Sequence, residues 1–407
     1  MALLLKGIET AFTGTITGAI IGAITGAITG AMTKTMIENT LYGSPLSLFT
    51  GRARSYLIKA GISYQEKLPN SSHFKTEVLS KMGGRQSIPV LETGLGEVIR
   101  DGAAIIDYFE AQSGHYFSPT TPKQTILNLL FDVIGCEGLL RPAMHYRWNF
   151  PEQNLDFIQF HFETFIPKGL DKKEMATKRM DQMRGAGKAF GVCPETYDQV
   201  ESHYTRLILK LDKHFADHPY LFGGRPSIGD FGMIAPLYGH LGRDPAPLSL
   251  MQSKAVRLYR WVERMNRPGL DVGEFENQSE EFLANDEIPQ TLIEVLKHMA
   301  LDFVPETKAA GLFINQWLDD QGNIEPGTIA ERGVGEMQFE AEGGKITALA
   351  QPYRFYLLAR MQSQYDGLGA AEKSSVDALL KACGMQDVVD CRLSRKVGRH
   401  ENREVWV

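Results

Sequence analysis

The stretch from Arg85 to Glu110 does most to constrain the fold of this 407-residue chain. It reads as a short apolar strand entered through Ile88–Pro89, a Gly-rich turn at residues 93–96, a second strand at residues 97–99 and a helix. Proline has no N–H to give a sheet ladder, so Pro89 at a strand start requires an edge, a bulge or a cis bond. A cis X–Pro bond is uncommon and marks a special turn, whereas a trans bond would make this an ordinary strand start. The residues themselves allow both readings, and the segments upstream decide between them.

Residues 40–43 read as a strand and residues 44–47 as a loop. A helix from Leu48 to Lys59 follows, with Phe49, Ala53, Tyr56, Leu57 and Ala60 at helical spacing and Gly61 as its stop. Residues 63–68 alternate like a strand, and residues 72–81 make a second helix closing at Gly83–Gly84. The order is βαβ and then ββα, a thioredoxin-like arrangement over residues 39–117. In that arrangement the cis form of Ile88–Pro89 is the favoured one.

Composition narrows the function classes. A net charge of −6 gives no reason to expect nucleic acid as a partner. The four cysteines, Cys136, Cys193, Cys383 and Cys391, form no CxxC or metal-ligand cluster, and the ten histidines form no HxxxH pair. This pattern suits a reducing, intracellular and cytoplasmic setting, and it predicts neither disulfides nor a metal.

Residues 1–38 stand apart. Between residues 10 and 33 there is no charge, and Gly14, Gly18, Gly22, Gly26 and Gly30 recur every four residues, with Ile16, Ile20, Ile24 and Ile28 in step. As a helix this run would be about 36 Å long, enough to cross a bilayer core. Small residues four apart let helices approach closely, as in GxxxG packing. Gly and Thr are poor helix formers, so a flexible low-complexity tail is the other reading, and the Ile and Thr content also permits β-aggregation. A membrane-embedded or self-associating helix is placed slightly ahead.

Residues 118–270 read as all-helical. Pro119 and Pro122 mark a linker, residues 123–146 a long helix, residues 194–215 an amphipathic helix, and residues 255–266 a last one. Ser227 and Asp230 make an S-x-x-D capping box, a folding element and no part of an active site. Residues 271–407 read as a mixed α+β extension without a catalytic motif. It comprises two helical stretches broken near Pro305, a hairpin over residues 337–349, helices over residues 351–365 and 370–383, and a basic tail forming a strand or a solvated face. A lid or subunit-contact module is the role that its position suggests.

Three segments carry a family resemblance. LYGSPLSLFTGRARSYLIKAG, SIPVLE and RDGAAIIDYFE, together with the later capping box, resemble the glutathione transferase superfamily of the cytosolic type, in its Ser/Cys-like branch. The resemblance implies an α/β thioredoxin-like N-terminal domain followed by an all-α glutathione-transferase C-terminal domain, with the extension added. It implies glutathione as co-substrate, an apolar or electrophilic small molecule as second substrate, a homodimer and no metal. Ser47 then faces the glutathione sulfur, with Tyr42 as the competing residue. Ile88 and Pro89 pair with the cysteinyl part, and Asp101 contacts the γ-glutamyl amine. Gly102 stands where the family keeps Ser or Thr. Arg141 and His145 fall near the co-substrate site but read more readily as domain packing. A second function class, a non-catalytic membrane-tethered binding or scaffolding protein, is motivated by Gly102, the extension and the glycine repeat.

Overall fold

β-Favouring residues 40–42 sit at the centre of a four-stranded mixed sheet. The computed structural model describes residues 38–276 and 278–407. β1 (Asn39–Tyr42) runs parallel to β2 (Tyr64–Lys67), with α1 (Leu48–Lys59) as the crossover. β3 (Val90–Glu92) pairs antiparallel with β1 and with the edge strand β4 (Val98–Arg100), giving the order β2-β1-β3-β4. The period-two alternation of strands then sorts the side chains. Leu41 and Leu91 face the main core with Leu57, Ile105 and Ile106, whereas Tyr42 and Val90 face Phe74, Val78 and Met82. The expected helix over residues 72–81 is instead a π-helical turn, Phe74–Val78, followed by a 3-10 turn, Leu79–Lys81. Within these two turns only Phe74 and Val78 are buried, so little packing holds a longer regular helix there. α2 (Gly102–Ser113) completes this layer and ends at Gly114, in the left-handed region at φ 72°.

The helical part begins with α3 (Pro122–Val133) and α4 (Leu140–Trp148), joined by a π-helical turn at Ile134–Gly138 where the sequence suggests one uninterrupted helix. α5 (Pro151–Glu163), α6 (Lys172–Gly185), α7 (Tyr197–His214), α8 (Ile228–Gly239), α9 (Pro245–Lys254) and α10 (Val256–Met265) follow. The π turn lies at a close helix crossing: a Cβ on Gly135 would stand 2.2 Å from the Gly232 carbonyl carbon of α8. Ser227 and Asp230 form the capping box of α8. The Asp230 carboxylate also accepts from Leu221 N and Trp261 Nε1, both at 3.1 Å.

In the extension, α11 (Gln290–Gln321) runs as a single helix through Pro305, which corrects the expected break. Proline frees the carbonyl four residues before it. That residue, Leu301, is exposed, so water can take the freed carbonyl. β5 (Glu336–Ala341) and β6 (Gly344–Leu349) form a hairpin turning at Glu342–Gly343. α12 (Pro352–Asp366), α13 (Ala370–Ala382), α14 (Asp387–Asp390) and a second hairpin of β7 (Val397–His400) and β8 (Arg403–Trp406) complete the chain. The tail's arginines are not all solvated. Arg399 joins Arg85 and Arg100 around the buried carboxylate of Glu404. Asn402 in the turn accepts from Arg100 N at 3.0 Å and donates to Val98 O at 2.8 Å, which covers the β4 edge.

An ionic chain with a buried centre ties the three parts together. Arg52 of α1 pairs with Asp132 of α3, each 1% exposed, and Arg360 of α12 bridges Asp132 at 3.1 Å to Asp107 of α2. Among the described residues, no helix is long and apolar enough to cross a membrane. The glycine repeat, where a membrane helix was placed slightly ahead, lies outside the described residues.

Two expectations about stability follow. Replacing Asp132 with Ala leaves the buried Arg52 guanidinium without its carboxylate, while Arg360 keeps Asp107, and should cost about 3–5 kcal/mol in urea denaturation. Glu66→Ala, which breaks the more exposed Arg54–Glu66 pair, should cost under about 1 kcal/mol. The Lys59 ammonium donates to Tyr220 OH at 2.8 Å and Gly269 O at 2.7 Å, and burial lowers its pKa from 10.5 to about 7. Between those values the unfolded chain holds a proton that the folded chain has released, so stability should rise with pH across this window. Lys59→Met should flatten the rise in denaturation midpoints measured from pH 7 to 10.5.

Candidate active site

A serine followed by a helical run is an N-cap signature, because its side-chain oxygen can accept an otherwise orphaned backbone N–H. Ser47 does this for α1: its Oγ accepts from Thr50 N at 3.2 Å with the backbone extended at φ −78°, ψ 122°. Accepting uses a lone pair, so the hydroxyl proton is still available to donate. Ser47 is half-buried. The loop before it is fixed from several sides: Arg147 Nη1 donates to Leu46 O at 3.0 Å, Arg243 to Pro45 O, and Leu46 N to Ser44 Oγ at 3.1 Å. The partial positive charge at the start of α1 adds to whatever Ser47 can hold.

The Ile88–Pro89 bond is cis. Pro89 O accepts from Asp101 N at 3.0 Å, so the start of β3 and the start of α2 are bonded together. Asp101 has φ 89°, outside the ordinary range for a residue with a side chain, and such conformations collect at functional sites. Its Oδ1 caps α2 by accepting from Ala103 N at 2.8 Å. A Cβ on Gly102 would stand 3.3 Å from Arg52 Cδ and 3.5 Å from Phe49 O. The first turns of α1 and α2 are therefore in contact, and the absent side chain leaves room for the buried Arg52 beneath. Two helix N-termini, one capped by Ser47 and one by Asp101, flank the cis-proline strand start. Such an arrangement suits an anionic group.

The other candidates are committed elsewhere. Tyr42 is 2% exposed and packs on Phe74, and its hydroxyl donates to Glu92 Oε2 at 3.0 Å. Burial, with the Glu92 bond and charge adding, pushes its pKa up to about 12. Arg141 is buried and ion-paired with Asp302 and Glu306 of α11, at 2.5 and 3.0 Å. His145 is 1% exposed and bonds Glu201 and Asn149, both at 2.9 Å. Burial holds its pKa below the usual range. Arg141 fastens α4 to α11 of the extension, and His145 belongs to the packing of the helical part.

One residue beside the site is invisible in the sequence reading. Tyr353, in the first turn of α12, donates to Asp101 Oδ2 at 2.7 Å. The extension thus reaches the start of α2, and both Asp101 oxygens have partners from the protein. The amphipathic pattern over residues 351–365 predicts the helix, but nothing in the sequence places it across from Asp101, 252 residues away.

Residues 41–117 match the family model described as the glutathione S-transferase N-terminal domain, and residues 194–264 match the glutathione S-transferase C-terminal domain. No curated protein matches the sequence significantly. Among solved structures, the beta-etherase LigF from Sphingobium sp. strain SYK-6 is 18% identical over 56% of this chain and 94% of its own, with a TM-score of 0.37. Glutathione transferase GSTFuA3 from Phanerochaete chrysosporium is 16% identical over 56% and 96%, with a TM-score of 0.40. A glutathione transferase family member from Pseudomonas fluorescens pf-5, with two glutathione bound, is 16% identical over 60% and 95%, with a TM-score of 0.34. Residues 41–117 and 194–264 thus match the two glutathione S-transferase domain models, and the fold is a thioredoxin-like domain with a mixed sheet, a helical domain and a further α+β region.

Proposed function

We propose that this protein is a glutathione-dependent transferase in which glutathione attacks an electrophilic small molecule as its thiolate. The observation that carries this reading is the meeting of the Ser47-capped start of α1 with the Asp101–Gly102 start of α2, beside cis-Pro89. In this reading the Ser47 hydroxyl donates to the sulfur and, with the α1 N-terminus, favours the thiolate over the thiol. The thiolate sulfur then bonds to the electrophilic carbon while a leaving group departs with its electron pair, or a proton from solvent completes an addition. The backbone beside Pro89 holds the cysteinyl part, and Asp101 faces the γ-glutamyl ammonium. Gly102 offers no hydroxyl, which removes a hydrogen bond worth about 0.5–1.5 kcal/mol and weakens glutathione binding accordingly.

Four cysteines without disulfides fit a reducing compartment. The outer side of α3 carries α12 and α13 of the same chain, so a homodimer of this protein pairs through other surfaces.

Retention on immobilised glutathione and conjugation of a nitroaromatic electrophile test the proposal. Ser47→Ala should lower kcat/KM roughly 100-fold, as the loss of one donor to a developing anion does. It also removes a helix cap worth about 1 kcal/mol, so a melt on the same sample separates the two effects. Tyr42→Phe should leave the rate unchanged. No retention together with no Ser47-dependent turnover would reject the reading. Tyr353→Phe should raise KM for glutathione by roughly 2- to 10-fold at constant kcat, since it loosens the Asp101 carboxylate without touching the sulfur.

A further inference from the structure

Three side chains from distant segments meet where the tip of the β5–β6 hairpin presses on α7. They are His203 of α7, His298 of α11 and Glu342 in the hairpin turn, and one ligand-capable atom of each lies within 4.8 Å of the others. The two histidines are 6% and 4% exposed, and their rings stack with centroids 4.1 Å apart at 23°. The hairpin tip is held in place, because Gln199 Nε2 donates to Ala341 O at 2.6 Å.

Hydrogen bonding sets the state of each ring. His298 Nε2 donates to the His203 backbone carbonyl at 2.8 Å, so its lone pair is on Nδ1. Fixing one nitrogen with an acceptor is how ligating histidines are oriented. His203 Nδ1 donates to Glu342 Oε2 at 2.7 Å, and its Nε2 is buried without a partner. Arg206 holds the other carboxylate oxygen, Oε1, at 2.5 Å and orients it. The proton between His203 and Glu342 can therefore move to the unpartnered Nε2, which frees Nδ1 and Oε2 for a cation.

We propose that His203, His298 and Glu342 form a site for a zinc-class divalent transition metal that clamps the extension onto the helical domain. Two imidazoles and one carboxylate suit such a cation better than magnesium or calcium, which prefer all-oxygen sets. With bonds of about 2.0–2.1 Å, tetrahedral ligands lie ~3.3 Å apart. The pair at 2.7 Å opens slightly to reach this spacing, and the histidine rings turn out of their stack so that both lone pairs converge. Three protein ligands leave a fourth position for water. The proposal is independent of the glutathione reading.

The test uses the full chain freed of metal with a chelator and titrated with Co2+, followed by displacement with Zn2+. One equivalent of Co2+ should bind with the visible absorption of a low-coordinate site, Zn2+ should bleach it, and Zn2+ should raise the melting temperature with concentration. His298→Gln and Glu342→Gln should each weaken binding at least ~10-fold. His400→Gln, at an exposed histidine away from the cluster, should not. If His298→Gln fails to fold by circular dichroism, Glu342→Gln decides, because it changes only a hairpin-tip side chain. No Co2+ binding to the wild-type chain, or binding that survives Glu342→Gln, would overturn the assignment.

Discussion

The pairing of Arg52 with Asp132 is the interaction on which the rest of the architecture depends. It joins the first helix of the sheet layer to the first helix of the helical layer, with both side chains 1% exposed. Burying two charges is costly unless each finds further partners. Asp132 finds Arg360 from the extension, and Arg52 finds Cys136 Sγ at 3.0 Å. The charge balance is therefore shared across segments more than two hundred residues apart. Removing the extension would leave this centre partly unpaired, which makes residues 271–407 a structural part of the fold and not an appendage.

The same centre shapes the candidate site. Arg52 passes directly under the start of α2, where a side chain at position 102 would crowd it. Gly102 is thus explained by packing, whatever it costs in ligand binding. Tyr353, about two turns upstream of Arg360 in the same helix, reaches Asp101 from the other side. The ion pair that fastens the extension and the hydrogen bond that touches the site belong to one helix, α12. A change in how that helix is held would be felt at Asp101.

Local chemistry was legible wherever short-range rules govern it. The α1 bounds, the Ser227–Asp230 box and the hairpin, read with Gly343–Gly344 at its centre and turning one residue earlier, follow from caps, turns and periodicity that act within a few residues. Failures came where a neighbour decides. The long helix over residues 123–146 is interrupted by a π turn at a crossing with α8, and Pro305 sits inside a continuous helix because Leu301, whose carbonyl it frees, is exposed to water. Residues 151–185, which carry no strong pattern, form α5 and α6. The basic tail forms strands, one of its two readings, but only the fold brings its Arg399 together with Arg85 and Arg100 on Glu404.

For this protein, the sequence by itself determined the βαβ–ββα order, the helical layer with its capping box, and the candidacy of Ser47, Ile88, Pro89, Asp101 and Gly102. The element order and the box rest on dihedral preference and spacing along the chain, which a linear string contains, whereas the candidacy of these five residues is what the resemblance to the glutathione transferase superfamily implies. Only the tertiary structure decided that Tyr42 is a core residue, that Tyr353 meets Asp101, and that His203, His298 and Glu342 converge. These are contacts between segments brought together by burial. Hydrophobic collapse is non-directional, so no local pattern announces which distant polar groups it will place side by side.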